Sequence, residues 1–260
     1  MGDGPAVFMV HGNPATHTLW RPLVQRVMSE RTVYAMDLPG FGGSPFPADH
    51  RDLSLTHIAE ALLNFADLQG LERFDLIGHS FGGAVSITMT TMAPERIRSL
   101  VAITPMTHHQ PPLGRLLKLP LMEESINLLW RMAPSGLRRR FVGAWAHVSY
   151  GSGYARDRAE EVAREADRPD LVPSMCGVMK EADYDAYARA IHALESLRKL
   201  PLLLIGAGDD RIIPYKQFQH LRAGLPRAAC HIFPASGHVP MWQYPDELTE
   251  IVKRFWRESG

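Results

Sequence analysis

Short apolar runs closed by polar or glycine-rich segments recur along the chain, and stretches of helical periodicity separate them. Ala6–Val10 (AVFMV) ends at His11-Gly12, Thr32–Met36 (TVYAM) at Asp37-Leu38-Pro39-Gly40, and 74–77 (FDLI) at Gly78. Ile97–Ile103 ends at Thr104-Pro105. Short, largely apolar runs of this kind suit strands buried on both faces. Between them, apolar residues recur three and four apart: Leu19, Leu23, Val24 and Val27 in 19–28, then Ile58, Leu62, Phe65 and Ala66 in 55–68. That spacing marks one face of a helix. A further helix is expected over 82–92, stopping before Pro94. The alternation predicts a parallel α/β sheet with right-handed crossovers.

From Met106 to about Ser196 the rhythm breaks, and only helical patterns remain. Leu137, Phe141, Trp145 and Val148 define one helix face, and Tyr184, Tyr187, Ala188 and Ile191 another. The α/β rhythm then resumes, with strands over 202–205 and 229–233 and helices over 215–223 and 246–257. The economical reading is an α/β core made of 1–105 and 197–260, carrying a helical cap inserted at 106–196. Leu116, Leu117, Leu121, Met122, Leu128, Leu129, Trp130, Met132 and Trp145 make the cap strongly apolar. Most of them are expected to be core between cap and sheet, with a minority lining an apolar pocket.

Composition narrows the partners. Of 260 residues, 45% are hydrophobic and 22% charged, which is globular and excludes a disordered or low-complexity chain. Lys+Arg and Asp+Glu are 28 each, so no basic surplus exists to neutralise nucleic-acid phosphates. The run Arg138-Arg139-Arg140 reads as a solvated helix face. The only cysteines, Cys176 and Cys230, sit in no CxxC or Cys/His cluster. Neither a disulfide framework nor a metal site is expected, and a reducing, cytoplasmic setting fits. No apolar run reaches the roughly 18–20 residues of a membrane span, and no basic segment opens a signal peptide. No membrane partner is expected.

The chemistry-bearing residues fall where strands end. Ser80 lies in Gly78-His79-Ser80-Phe81-Gly82, at a strand-to-helix turn that needs small residues beside it. A base of near-neutral pKa must approach it, and His238, in Ser236-Gly237-His238-Val239-Pro240 after the last strand, is placed to do so. An acid to orient that imidazole is offered twice, by Asp209 and Asp210 in GAGDDRIIP. The backbone N–H groups of Asn13 and Phe81 are the candidates to hold a developing oxyanion. His108-His109, where the chain enters the cap, read as hinge or pocket-mouth residues, because no further metal ligands accompany them.

HGNP at 11–14, DLPGFGGS at 37–44, GHSFGG at 78–83, GAGDDRIIP at 206–214 and SGHVPMWQYPDE at 236–247 together resemble the α/β-hydrolase fold superfamily, in its capped serine-hydrolase form. The resemblance covers essentially the whole chain. It implies a mostly parallel sheet flanked by helices with a helical cap, and a Ser–Asp–His triad without cofactor or metal. The family acid stands four residues before the loop proline, and counting back from Pro214 gives Asp210. The triad implied is Ser80, Asp210 and His238, with Asn13 and Phe81 as oxyanion donors. Because the HG-bearing strand begins within the first ten residues, the N-terminal hairpin usual in the family is expected to be missing. Strand 32–36 is therefore expected at a sheet edge, covered by the first residues or by a homodimer partner, unless the native chain begins upstream.

Haloalkane dehalogenases and epoxide hydrolases of this superfamily carry an aspartate nucleophile, so Ser80 disfavours both, and Asn13 is expected to keep only a backbone role. The C–C hydrolases of meta-cleavage pathways commonly read G-N-S-x-G, whereas carboxylesterases and cofactor-free perhydrolases read G-H-S-x-G, as here. The expected activity is hydrolysis of a small to medium apolar carboxylic ester through an acyl-enzyme on Ser80. C–C hydrolysis and perhydrolysis are the alternatives, and a hydrolase-fold ligand receptor is the non-enzymatic one.

Overall fold

The apolar runs become six strands in the computed structural model, which describes residues 2, 4–150 and 164–259. They are β1 (Ala6–Val10), β2 (Thr32–Met36), β3 (Phe74–His79), β4 (Ile97–Ile103), β5 (Leu202–Ala207) and β6 (Ala229–Phe233). All pair in parallel in one sheet of order β2-β1-β3-β4-β5-β6. The helices described are α1 (Arg21–Val27), α2 (Leu55–Leu68), α3 (Phe81–Met92), α4 (Pro112–Leu116), α5 (Met122–Met132) and α6 (Ser135–Tyr150). They continue as α7 (Leu171–Glu181), α8 (Tyr184–Ser196), α9 (Tyr215–Ala223), α10 (Pro240–Gln243) and α11 (Pro245–Ser259).

Successive strand residues point to opposite faces, and both faces are covered. Phe8, Leu76, Leu100 and Leu204 pack toward α2 and α3, with α8 and α9 on the same side. Val7, Ile77, Val101 and Ile205 pack toward α1 and α11. The order reverses between β1 and β3, since the chain leaves β1 toward β2 and returns to β3. A crevice opens at such a reversal outside the strands' C-terminal ends, which is where this fold assembles ligand sites. HGNP follows β1 and the Ser80 turn follows β3, so both flank it.

Strand β2 takes the sheet edge, as expected. The first residues fold against its beginning, where Thr32 Oγ1 donates to Gly2 O and Gly4 O at 2.9 Å. They do not run along it, and its residues beyond Val33 are half-buried.

The segment expected as cap divides by its packing. Tyr187, Ile191 and Leu194 of α8 join the α2–α3 side of the sheet core. A separate small core gathers Leu117, Trp130, Val142, Leu171, Val172 and Cys176 from the preceding helices. The expectation that most cap apolar residues are core is corrected. Leu117 and Trp130 are buried, but Leu116, Leu121, Leu128, Leu129 and Met132 are exposed. On α6 the face marked by Leu137, Phe141, Trp145 and Val148 is mainly the outer one: Leu137, Phe141 and Val148 are exposed, while Val142, Ala146 and Tyr150 are buried. The exposed side chains of α5 and α6 lie on the faces turned away from the small core.

Candidate active site

Ser80 occupies a turn no ordinary residue favours, with φ 52° and ψ −119°. Its neighbours must be glycines because the backbones touch. A Cβ on Gly78 would stand 2.4 Å from Gly82 O, and one on Gly82 would stand 2.1 Å from Val10 O. Two further bonds pin the turn to the end of β4: Ser80 N–H donates to Ile103 O at 3.1 Å and Met106 N–H to Ser80 O at 2.9 Å. Phe81 opens α3, so its N–H has no partner within the helix and lies at the positive end of the helix dipole.

The loop after β1 is held by His11. Its Nδ1–H donates to Gly12 O at 2.8 Å, and its Nε2 accepts from Leu38 N–H at 2.9 Å. One neutral tautomer satisfies both bonds, and burial pushes the imidazole down to about 4. Gly12 lies against the Ser80 turn, since a Cβ there would be 2.8 Å from Ser80 Cβ. The Asn13 side chain is not idle, contrary to the expectation of a backbone role alone: Nδ2 donates to Met175 O of α7 at 3.2 Å, tying this loop to the cap.

Asp210 and His238 meet: Nδ1–H of the imidazole donates to Asp210 Oδ2 at 2.7 Å, with both side chains buried. Oδ1 of the same carboxylate accepts from the N–H groups of Ile212 and Ile213, each at 2.8 Å, which fixes its rotamer. Asp209 is exposed and contributes its backbone N–H to Ser236 O instead. Ser80 Oγ makes no hydrogen bond with His238 in this geometry; such contacts are often long until substrate closes the site.

Two residues that the sequence reasoning missed hold His238 in place. The His238 carbonyl accepts from His79 Nε2–H and from Thr104 Oγ1–H, both at 2.9 Å. Burial, and then the nearby His238, hold the His79 imidazole well below its ordinary pKa, so it stays neutral. Thr104 reaches the carbonyl from a left-handed backbone, φ 39°. Their signal lay in plain view, one inside the serine motif and one directly after a strand, but neither position advertises a bond to a distant backbone.

A cavity of about 70 Å³ lies over the site, between the β1 loop and the cap. Phe141, Trp145, Ala146, Leu171 and Met175 line it from the cap, with Asn13 and His238 on the core side. Among the described lining residues there is no Lys or Arg, and the one carboxylate, Glu165, lies 3.6 Å from Arg168. The cap is docked by the DLPGFGGS loop: Ser174 Oγ–H donates to Gly40 O at 2.7 Å, and an Arg168 N–H to Gly42 O. The rings of His108 and His109 lie tilted against each other with centroids 4.4 Å apart, and His109 approaches His220 of α9; neither is among the described residues lining the cavity. Among the described residues no group of His, Cys, Asp or Glu is arranged to hold a metal.

Comparison with known proteins places the fold. The chain is 27% identical to 2-hydroxymuconate semialdehyde hydrolase of Pseudomonas sp. (strain CF600), over 99% of this chain and 89% of that protein. It is also 27% identical to the putative carbamate hydrolase RutD of Pseudomonas savastanoi pv. phaseolicola, over 91% of this chain and 87% of that one. Its fold superposes on a thermophilic esterase from Thermogutta terrifontis with TM-score 0.80 at 19% identity, covering 100% of this chain and 92% of the other. The family model for the alpha/beta hydrolase fold matches residues 5–245, and the chain belongs to that family.

Proposed function

We propose that the protein is a serine hydrolase that cleaves a small, neutral carboxylic ester through an acyl-enzyme on Ser80. The observation that carries this reading is the buried Asp210–His238 pair beside the strained Ser80 turn. Nε2 of His238 takes the hydroxyl proton as Oγ attacks the ester carbonyl. The N–H groups of Phe81 and Asn13 receive the oxyanion, each contributing about 3 kcal/mol to its stabilisation. His238 then protonates the departing alkoxide, and the same imidazole activates the water that releases the acid.

Substrate size and charge follow from the cavity. About 70 Å³ is less than the roughly 150 Å³ that encloses a benzene, so a short acyl group fits. Among the described lining residues no cation awaits a carboxylate, which favours a neutral ester over a dienoate. The second reading, C–C hydrolysis, is supported by the similarity to the 2-hydroxymuconate semialdehyde hydrolases. The deciding experiment is a panel of p-nitrophenyl esters of rising chain length, run beside a meta-cleavage dienoate, with fluorophosphonate labelling of Ser80. Activity greatest on acetate or butyrate esters and lost in Ser80→Ala is expected. Faster turnover of the dienoate would select the second reading, and an unlabelled serine would point to a receptor.

A further inference from the structure

The outer side of the cap, over its described residues, combines two properties. On α5 and the residue before it, Leu121, Leu128, Leu129 and Met132 recur on one helix face and are 73%, 58%, 68% and 73% exposed. On α6, Leu137 and Phe141 continue the pattern, at 59% and 51%. The two helices adjoin, since the Phe141 ring meets Trp130 edge-on with centroids 5.9 Å apart. Exposed apolar residues scattered singly mean little, but stripes on consecutive helices mark an interaction surface.

The second property is charge. Residues 111–150 carry Arg115, Lys118, Arg131, Arg138, Arg139 and Arg140 against only Glu123 and Glu124, in a chain whose total charge is zero. Glu123 is buried and bound to Lys180 at 2.6 Å, which removes it from this surface. Arg139 is paired with Asp167, and Lys118 shares a surface hollow with Glu181, Asp183 and Asp185; on the two striped helices themselves Arg131 and Arg140 are exposed, against the single exposed carboxylate of Glu124. The face is therefore cationic as well as apolar.

We propose that this face of the cap docks on an anionic lipid bilayer. Stripes of Leu, Met and Phe on helix surfaces, flanked by Arg and Lys, insert side chains at the headgroup boundary while the cations meet lipid phosphates. Charge complementarity selects this occupant over a second copy of the chain, because two such faces would bring like charges together. Phe141 also lines the cavity over the site, so the docking surface runs up to the substrate chamber. The docking claim does not depend on which bond the site cleaves.

The test is co-sedimentation of the full chain with phosphatidylcholine vesicles, with or without phosphatidylglycerol. Binding should be about tenfold tighter or more when phosphatidylglycerol is present, and should weaken as salt is raised. The triple variant Leu128→Asp/Leu129→Asp/Met132→Asp should lose it, and Arg131→Glu/Arg140→Glu should weaken it. Both variants should keep wild-type turnover of a water-soluble ester, which also shows that they fold. Sedimentation indifferent to phosphatidylglycerol, or undiminished in the triple variant, overturns the proposal. So does a wild-type dimer that the triple variant dissociates, since that would assign the face to a second copy.

Discussion

Asp210 is distinguished from its neighbour by a single turn of backbone. Its carboxylate accepts from His238 on one oxygen and from two backbone N–H groups on the other, whereas Asp209 faces solvent. Asp210→Asn should lower kcat by roughly 10³–10⁴-fold by favouring the wrong imidazole tautomer, and Asp209→Asn should change it by less than about threefold; steady-state kinetics on a short ester checks both. Thr104 is a positioning residue. Thr104→Val removes one of two bonds to the His238 carbonyl and should cost about tenfold in kcat with little change in KM. Thr104→Ser should restore most of the loss, which a merely structural role would not show. The serine, the histidine and the candidate acids could be read from the sequence, because each sits in a short motif at a strand end. Thr104 and His79 could not be assigned their roles, because a side chain bonded to a backbone atom more than a hundred residues away leaves no local pattern.

At the scale of elements, the strands were legible for a physical reason. A parallel strand covered on both faces has no polar alternation, so its sequence is a plain apolar run, and β2, β4 and β6 match their expected limits. Helix faces were legible only where a helix has one neighbour layer known to be the sheet, as with Tyr184, Tyr187 and Ile191 of α8. On α6 the period marked a face rightly but could not say whether protein or solvent lies beyond it. The close approach of β1, β3 and α3 has a sharper consequence. Gly82→Ala would drive a methyl group into the carbonyls of Val10 and His11, so it should destabilise the fold by about 3 kcal/mol or more, read as a fall in the urea midpoint.

Two histidines, His11 and His79, are buried and neutral in the folded molecule. Each has a folded pKa below its unfolded value of about 6.5, so the unfolded chain binds more protons as pH falls. Stability is therefore whole above about 6.5 and declines toward pH 4, by up to about 1.4 kcal/mol per pH unit for each histidine. Urea titrations at pH 7 and pH 5 should show the loss, and His11→Asn should reduce it to the part carried by His79. The molecule is also divided in a way the pairing of its ends makes useful. Tyr187 Oη–H donates to Met106 O at 2.7 Å, so the chain leaves the sheet layer and rejoins it at nearly one point. The described helices between them, α4 to α7, therefore begin and end side by side. That makes the proposed cap a candidate for exchange: a helical segment taken from another member of the family, joined at the same two residues, should give this sheet and its Asp210–His238 pair a different chamber.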